Sequence, residues 1–165
     1  MVQKIVLTGA KGVGKTGVLE KFREVGYFTM SEVAPFVLNG QANGKKPRLP
    51  ENDQYGFQRL VAQTQLDWEK HIPSSLDFSF QVGGLPDGLA YLARSGEQII
   101  PELQENPLSG RYHRVFLFEP PVGFTEDTGG LHDAIRDAYQ SCGYKPISVP
   151  RLAPKDRADF ILERV

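Results

Sequence analysis

Residues 9–16 read G-A-K-G-V-G-K-T and match the pattern G-x-x-x-x-G-K-[ST] at every fixed position. The short segment 4–8, with apolar residues at 5–7, precedes this loop, and an amphipathic segment over about residues 14–25 follows it. A strand, a glycine-rich turn and a helix in this order form the context in which the pattern makes a phosphate-binding loop, or P-loop. The alternative is a glycine-rich turn that carries a lysine by accident. The complete match in its proper context favours a site for the phosphates of a nucleoside triphosphate.

Each residue type in the motif has a physical reason. Glycines let the backbone curl so that successive N–H groups converge on phosphate oxygens, and the start of the following helix adds partial positive charge. Lys15 is expected to reach the β- and γ-phosphates, and the Thr16 hydroxyl can ligate Mg²⁺. Lys11 either contacts a phosphate or faces solvent. The predicted phosphate-binding residues are Gly9, Lys11, Gly12, Val13, Gly14, Lys15, Thr16 and Gly17.

Apolar segments with strand character alternate with amphipathic segments along the whole chain. This alternation predicts an α/β fold, in which helices on both faces cover a parallel sheet in three layers. We expect five strands at residues 4–8, 27–30, 77–82, 114–118 and 146–149, in the order 2-3-1-4-5 with strand 1 at the centre. Helices are expected at 14–25, 53–70, 86–93, 97–105, 131–142 and 154–164, and long loops at 39–52 and 119–130. Residues 1–165 are expected to form one domain.

Composition narrows the class of protein further. The chain has 165 residues, 40% hydrophobic and 24% charged, with a net charge of −1. The lack of a basic excess argues against binding to nucleic acid over a wide surface. No apolar run approaches the ~20 residues needed to span a bilayer, and the first residues do not resemble a secretory signal. With a single cysteine, Cys142, these features favour a cytoplasmic protein without a membrane partner.

Beyond the P-loop, short segments in a consistent order resemble a family of small P-loop ATPases and kinases of the AAA type. This family is similar to nicotinamide-riboside kinases and nucleoside monophosphate kinases. The resemblance extends over nearly the whole chain, and it implies a kinase-like fold with ATP or GTP and Mg²⁺ as cofactors. Besides the P-loop, its segments are residues 31–34, 57–59 with Gln65, 84–87 with Ala90 and Tyr91, 115–118, 143–144, and 149–150 with Arg157.

The chain departs from this family at positions that bear on catalysis. The resemblance implies Asp-Arg-Gly at the end of strand 3, where this chain has Val82, Gly83 and Gly84. It also implies an arginine at the position of Pro35, and arginines in the lid loop, which here reads D-T-G-G-L over residues 127–131. These residues would hold metal and spread transition-state charge, so we expect nucleotide binding with slow turnover.

Three carboxylates are candidates for the missing acid. Glu119 follows the four apolar residues 115–118. This resembles the pattern in which a buried strand ends with a carboxylate beside a P-loop, and Glu119 could then reach Mg²⁺ through water. It could equally be a loop carboxylate ahead of two prolines. Asp87 is a candidate catalytic residue or an acid in the first turn of a helix, where negative charge is favoured. Glu32 follows strand 2, at the sheet edge where ligands bind in open α/β folds.

The same loop serves kinases, ATPases, GTPases and synthetases, so three functional hypotheses remain. The chain could be a slow NTPase or a phosphotransferase with Lys15 and Asp87 as catalytic residues and a small molecule as acceptor. It could instead be a nucleotide-binding regulatory module with little turnover. In the third hypothesis, the chain is active only with a partner protein that supplies the missing arginine.

Overall fold

The computed structural model describes the backbone of residues 1–165 and all side chains except those of Glu126 and Asp127. Of the predicted lid, Asp127 therefore lies outside the described side chains. The elements are β1 (Gln3–Thr8), α1 (Lys15–Glu24), β2 (Phe28–Met30), α2 (Val33–Gly40), α3 (Gln54–Lys70), β3 (Phe78–Val82), α4 (Leu85–Arg94), α5 (Pro101–Gln104), β4 (Arg114–Phe118), α6 (Glu126–Ser141), β5 (Ile147–Val149) and α7 (Pro154–Leu162).

The five strands form one parallel sheet in the order β2-β3-β1-β4-β5. β1 lies at the centre, where Leu7 pairs with Val82 of β3 and with Phe116 of β4. The predicted topology is therefore confirmed. Because all strands run the same way, their carboxyl ends share one edge, and this is the edge at which ligands bind in such folds.

Alternating side chains of β1 divide the core between the two faces of the sheet. Ile5 and Leu7 pack in a cluster with Phe22 of α1 and Ile161 of α7. Val6 packs on the opposite face, in a cluster with residues of α4 and α6. All three β1 residues are fully buried. Continuous apolar strands suit a sheet that is covered on both sides.

Three segments differ from the sequence-based expectations. Residues 33–40 form α2, which was not predicted, and Pro35 is tolerated there because it lies in the first turn, where no intrahelical N–H bond is lost. The segment 119–130 is not loop throughout, since α6 begins at Glu126, where Thr125 caps the helix by accepting from the Thr128 N–H. The helix expected over 97–105 is reduced to α5. None of the described helices combines the length and apolarity needed to cross a membrane.

Candidate functional site

The P-loop connects the end of β1 to the start of α1, and its glycines adopt left-handed backbone angles. Gly9, Gly12 and Gly14 have φ values of +141°, +81° and +97°. Gly14 is the N-cap of α1, which has no side-chain cap and no acidic residue in its first turn. The first N–H groups of a helix have no intrahelical partner. Those of α1 are therefore available to an anion, as the motif predicts.

Lys15 is the first residue of α1, and its ammonium group folds back over the loop. Its Nζ donates to the Gly9 carbonyl oxygen at 2.6 Å, and the residue is only 8% exposed. This bond holds the charge at the mouth of the loop. Thr16 is exposed beside it, whereas Gly17 lies in the first helical turn. Lys15 and Thr16, predicted to bind phosphate and metal respectively, are thus consecutive residues at the start of α1.

A cavity of about 240 Å³ adjoins the P-loop at the sheet edge. Gly9, Lys11 and Lys15 form its wall on the loop side. Apolar side chains of α2, α3 and α4 form most of the remainder, including Val33, Leu38, Phe57, Val61 and Leu85. Polar groups enter at separate points, from Glu32, Gln54, Gln58, Asp87 and Tyr91. A mostly apolar cavity with a few convergent polar groups is the usual form of a small-molecule site.

Asp87 joins this cavity to the ends of β1 and β3. Its carboxylate accepts from the Thr8 hydroxyl at 2.5 Å, the Gly84 N–H at 2.8 Å and the Tyr139 hydroxyl at 3.2 Å. Burial raises the pKa of Asp87, although the bonds from Thr8 and Gly84 and the charge of Lys15 act in the opposite direction. As the third residue of α4, Asp87 also belongs to a capping box. Asp87 is therefore an acid in the first turn of a helix, and it also lines the cavity.

The position after β3 shows how the chain accommodates the departures from the family pattern. Val82 is 2% exposed, and its side chain belongs to the core. Gly83 has φ +80°, and a Cβ there would lie 3.1 Å from Asp87 Oδ2. An arginine at position 83 would be strained in this backbone conformation. The Asp87 carboxylate occupies the space above the ends of β1 and β3.

Glu119 lies on a second concave surface, which it shares with Gly12, Val13 and Gly14 of the P-loop. Its Oε1 accepts from the Ser148 hydroxyl at 2.9 Å. Glu119 does not line the cavity that contains Asp87 and Lys15. Its role towards Mg²⁺ through water stays a prediction.

Two arginines, Arg151 and Arg157, line this second surface, although neither is at a position where the chain lacks an arginine that the family resemblance implies. Arg157 Nη1 donates to the Val13 carbonyl at 2.6 Å, and its Nε donates to the Pro150 carbonyl at 3.0 Å. Burial lowers the pKa of Arg157, against the opposing charge of Glu119. Arg151 lines the same surface and donates to the Pro120 carbonyl. In the sequence, only the family resemblance drew attention to Arg157. No spacing between residues indicated that it contacts the P-loop.

The donor set fits Mg²⁺ held mainly by phosphate and water. Within the described side chains, no group of three or more His, Cys, Asp or Glu could hold a metal by itself. Mg²⁺ keeps several waters and takes few protein ligands, and the Thr16 hydroxyl would be one of these ligands beside the phosphates.

A buried carboxylate, Glu69 of α3, supports the turn that carries Gly83 and Gly84. Gln81 donates both to Glu69 at 3.1 Å and to the Gly83 carbonyl at 3.0 Å. Tyr112 donates to Glu69 at 2.9 Å and accepts from the Leu85 N–H at 2.9 Å. No local sequence pattern indicated this network, because its members come from α3, β3, α4 and the segment before β4.

These features define a P-loop protein of kinase-like fold. The chain belongs to the AAA domain family, whose model matches residues 4–157. No curated protein sequence matches the chain significantly. The resemblance inferred from the short segments is confirmed at the level of a small P-loop kinase-like family.

Solved structures agree on the fold. NadR protein in complex with NR is similar with a TM-score of 0.77 and 15% identity, over 98% of this chain and 50% of that chain. The present chain therefore corresponds to half the length of NadR. Deoxyadenosine kinase from M. mycoides with bound dATP gives 0.62 and 13%, over 98% of both chains. Shikimate kinase from Aquifex aeolicus gives 0.58 and 14%, over 98% of this chain and 94% of the other.

Proposed function

We propose that the protein binds ATP or GTP with Mg²⁺ at the P-loop and transfers the terminal phosphoryl group slowly to a small molecule in the adjoining cavity. The observation that carries this proposal is that residues of the P-loop and a candidate catalytic carboxylate line the same cavity. Lys15, Lys11 and Gly9 line the same cavity as Asp87. A terminal phosphate at Lys15 would then face an acceptor beside Asp87.

The chain has groups for each part of such a transfer. The free N–H groups at the start of α1, together with Lys15, bind and orient the triphosphate. Asp87 lies where it could accept the proton of an acceptor hydroxyl, and its raised pKa brings it closer to the range useful for a base. The apolar walls from α2 and α3 exclude water from the bound acceptor. Bound Mg²⁺ would supply charge neutralisation on the phosphates.

The relatives of known structure support a small-molecule acceptor. The NadR structure contains NR, and the deoxyadenosine kinase structure contains dATP. Both show that the same fold holds nucleoside-type molecules, so nucleosides and ribosides are the first acceptors to test on this chain.

One observation favours the second candidate, a nucleotide-binding module with little turnover. Among the residues that the structure describes, no arginine lines the cavity, and its only cationic side chains are Lys11 and Lys15. In related phosphoryl-transfer systems, one arginine contributes roughly 10³ to 10⁵ in rate. An arginine supplied by a partner protein would restore that contribution.

Steady-state release of ADP or GDP tests the proposal. Purified protein with Mg²⁺ is assayed against a panel of nucleosides and ribosides, with Lys15→Ala as the inactive reference. We expect acceptor-dependent turnover below about 1 s⁻¹, under the ~1–100 s⁻¹ typical of kinases. Binding without any acceptor-dependent turnover would favour the module. Faster turnover on addition of cell extract would favour a partner's arginine, whereas turnover above about 1 s⁻¹ by the isolated protein would contradict the slow-transfer proposal.

A further inference from the structure

The cavity beside the P-loop has an uneven distribution of charge. Its cationic groups, Lys11 and Lys15, are on the P-loop side, where the triphosphate would engage them. Two carboxylates line it as well: Glu32 follows β2 as the N-cap of α2, and Asp87 lies in the first turn of α4. With the lysines facing phosphate, the part of the cavity left for an acceptor is acidic.

Glu32 is the carboxylate without a partner. It is half-buried at the N-cap of α2, but its side chain caps no N–H of that helix. Within the described part of the chain, no group donates a hydrogen bond to it and no cation pairs with it. Asp87, in contrast, accepts three hydrogen bonds. A partly buried carboxylate with unused acceptor capacity favours a ligand that brings donors or positive charge.

The residue that could have paired with Glu32 is absent. Pro35 stands three residues along α2, at the position where the family resemblance implies an arginine, and it also lines the cavity. Proline contributes neither charge nor a donor. Tyr91 lies close enough to both carboxylates to be affected by their charge, since burial, Asp87 and Glu32 all raise the pKa of its hydroxyl.

The remaining walls limit the size and polarity of an occupant. The volume of about 240 Å³ is slightly below the ~300–1,000 Å³ of typical ligand pockets. Phe57, Val61, Leu38 and Val33 provide an apolar surface, and the amides of Gln54 and Gln58 provide polar contacts. A small molecule with one flat apolar part and several hydroxyl groups matches these properties.

We propose that this cavity selects hydroxyl-bearing acceptors that are uncharged or cationic and rejects anionic ones, and that Glu32 is the residue responsible for the selection. The Glu32 carboxylate accepts hydrogen bonds from acceptor hydroxyls or pairs with a cationic group. A phosphate or carboxylate on the acceptor would lie near two like charges without an arginine to neutralise it. This inference rests on the proposed function, because it takes the cavity to be the acceptor site.

Calorimetry on the full chain tests the selection directly. The P-loop is first saturated with a non-hydrolysable ATP or GTP analogue and Mg²⁺, so that probes cannot compete for the nucleotide site. The probes are adenosine, guanosine, cytidine, uridine and a cationic pyridinium riboside, each beside its own 5′-monophosphate. The variants are Glu32→Gln and, as a matched control, Glu24→Gln, whose exposed carboxylate pairs with Lys21 at the C-terminal end of α1.

In wild type, we expect at least one uncharged or cationic riboside to bind roughly tenfold or more tightly than its monophosphate, because like charges in contact are strongly unfavourable. In Glu32→Gln this ratio should fall at least threefold, and in Glu24→Gln it should not change. A monophosphate that binds as tightly as its riboside would overturn the proposal, as would an unchanged ratio in Glu32→Gln.

Failure of the two proposals can be distinguished. If neither ATP nor GTP analogue binds, the proposed function fails and the selection fails with it. If an analogue binds but no riboside and no monophosphate does, the acceptor selection is wrong while nucleotide binding stands.

Discussion

Replacement of Glu69 by glutamine should destabilise the protein more than any surface change of equal size. The Glu69 side chain is 1% exposed. Its Oε2 accepts from Lys4 at 2.9 Å and Arg111 at 2.8 Å. Its Oε1 accepts from Gln65 at 2.8 Å, Gln81 at 3.1 Å and the Tyr112 hydroxyl. Every neighbour is a donor, so the amide group of glutamine faces donors in either orientation.

The magnitude follows from the loss of a buried counter-charge. Breaking a buried ion pair by removing one partner costs about 3–5 kcal/mol. Lys4 and Arg111 keep 18% and 16% of their side-chain surface exposed, so partial solvation favours the lower end of this range. We expect a loss of about 3 kcal/mol in the free energy of unfolding. At ~2–4 °C per kcal/mol for a chain of this size, the melting temperature should fall by roughly 6–12 °C.

The pH dependence gives the prediction a second readout. Burial raises the pKa of Glu69, but the hydrogen bond from Gln65 and the charges of Lys4 and Arg111 outweigh it, and the net pKa is lowered from 4.5. A lowered pKa means that the ionised group stabilises the folded state above the unfolded value, and that this contribution is lost as the pH falls through the folded value. The difference between wild type and Glu69→Gln should therefore be constant near neutrality and shrink below about pH 4.5.

Urea denaturation at a series of pH values measures both effects. Glu163→Gln is the control, because that carboxylate is 72% exposed in its pair with Arg164 and should change stability by less than ~0.5 kcal/mol. A loss in Glu69→Gln below about 1 kcal/mol at pH 7 would refute the reasoning, since buried pairs cost several times more. A difference that grows on acidification would refute the sign of the pKa shift.

Two further predictions concern the site. Gly14→Ala should weaken nucleotide binding roughly tenfold by calorimetry, because alanine is strained at φ +97° and its Cβ would lie 2.5 Å from Arg157 Nη1; Gly40→Ala, with open space around its Cβ, is the control, and equal losses in both would contradict the explanation. Asp87→Asn should lower phosphoryl transfer about 10²-fold or more but raise thermal stability at pH 8. The raised pKa of Asp87 means that its ionised form destabilises the fold, a penalty that disappears as the pH falls below 3.8. A melting temperature lowered at pH 8 would show that the hydrogen bonds of Asp87 outweigh its burial.

The fold could be predicted from the sequence because its signals are local. Strands β1 and β4 are continuous apolar runs, which suit the centre of a parallel sheet. Because the P-loop directly follows β1, it places the predicted phosphate site at the edge of the sheet formed by the carboxyl ends of the strands. Two helix starts differ from the expectations: α2 was not predicted, and residues 119–130, with the Gly129–Gly130 pair, were assigned to a loop although α6 begins at Glu126. The first-turn position of Pro35 and the cap at Thr125 decide both.

The cavity was harder to predict, because side chains from distant segments form it. Phe57 and Val61 of α3 have the helical spacing typical of a stripe that faces the core, yet they line the cavity beside Gln54 and Gln58. Polar residues four apart on the same face as an apolar stripe were the available signal. The contact of Arg157 with Val13 spans 144 residues of sequence, and no local pattern indicates it.

Isothermal calorimetry of ATP and GTP with Mg²⁺, on wild type, Lys15→Ala and Lys21→Ala, tests the central claim most directly. Lys21 is an exposed lysine of the same helix that pairs with Glu24, so its removal controls for the loss of one charge. We expect wild type and Lys21→Ala to bind at least one of the two nucleotides with equal affinity. Lys15→Ala should bind at least tenfold more weakly while unfolding at a similar temperature. Equal affinity in wild type and Lys15→Ala, or no binding of either nucleotide by wild type, would contradict the assignment of residues 9–16 as a phosphate-binding loop.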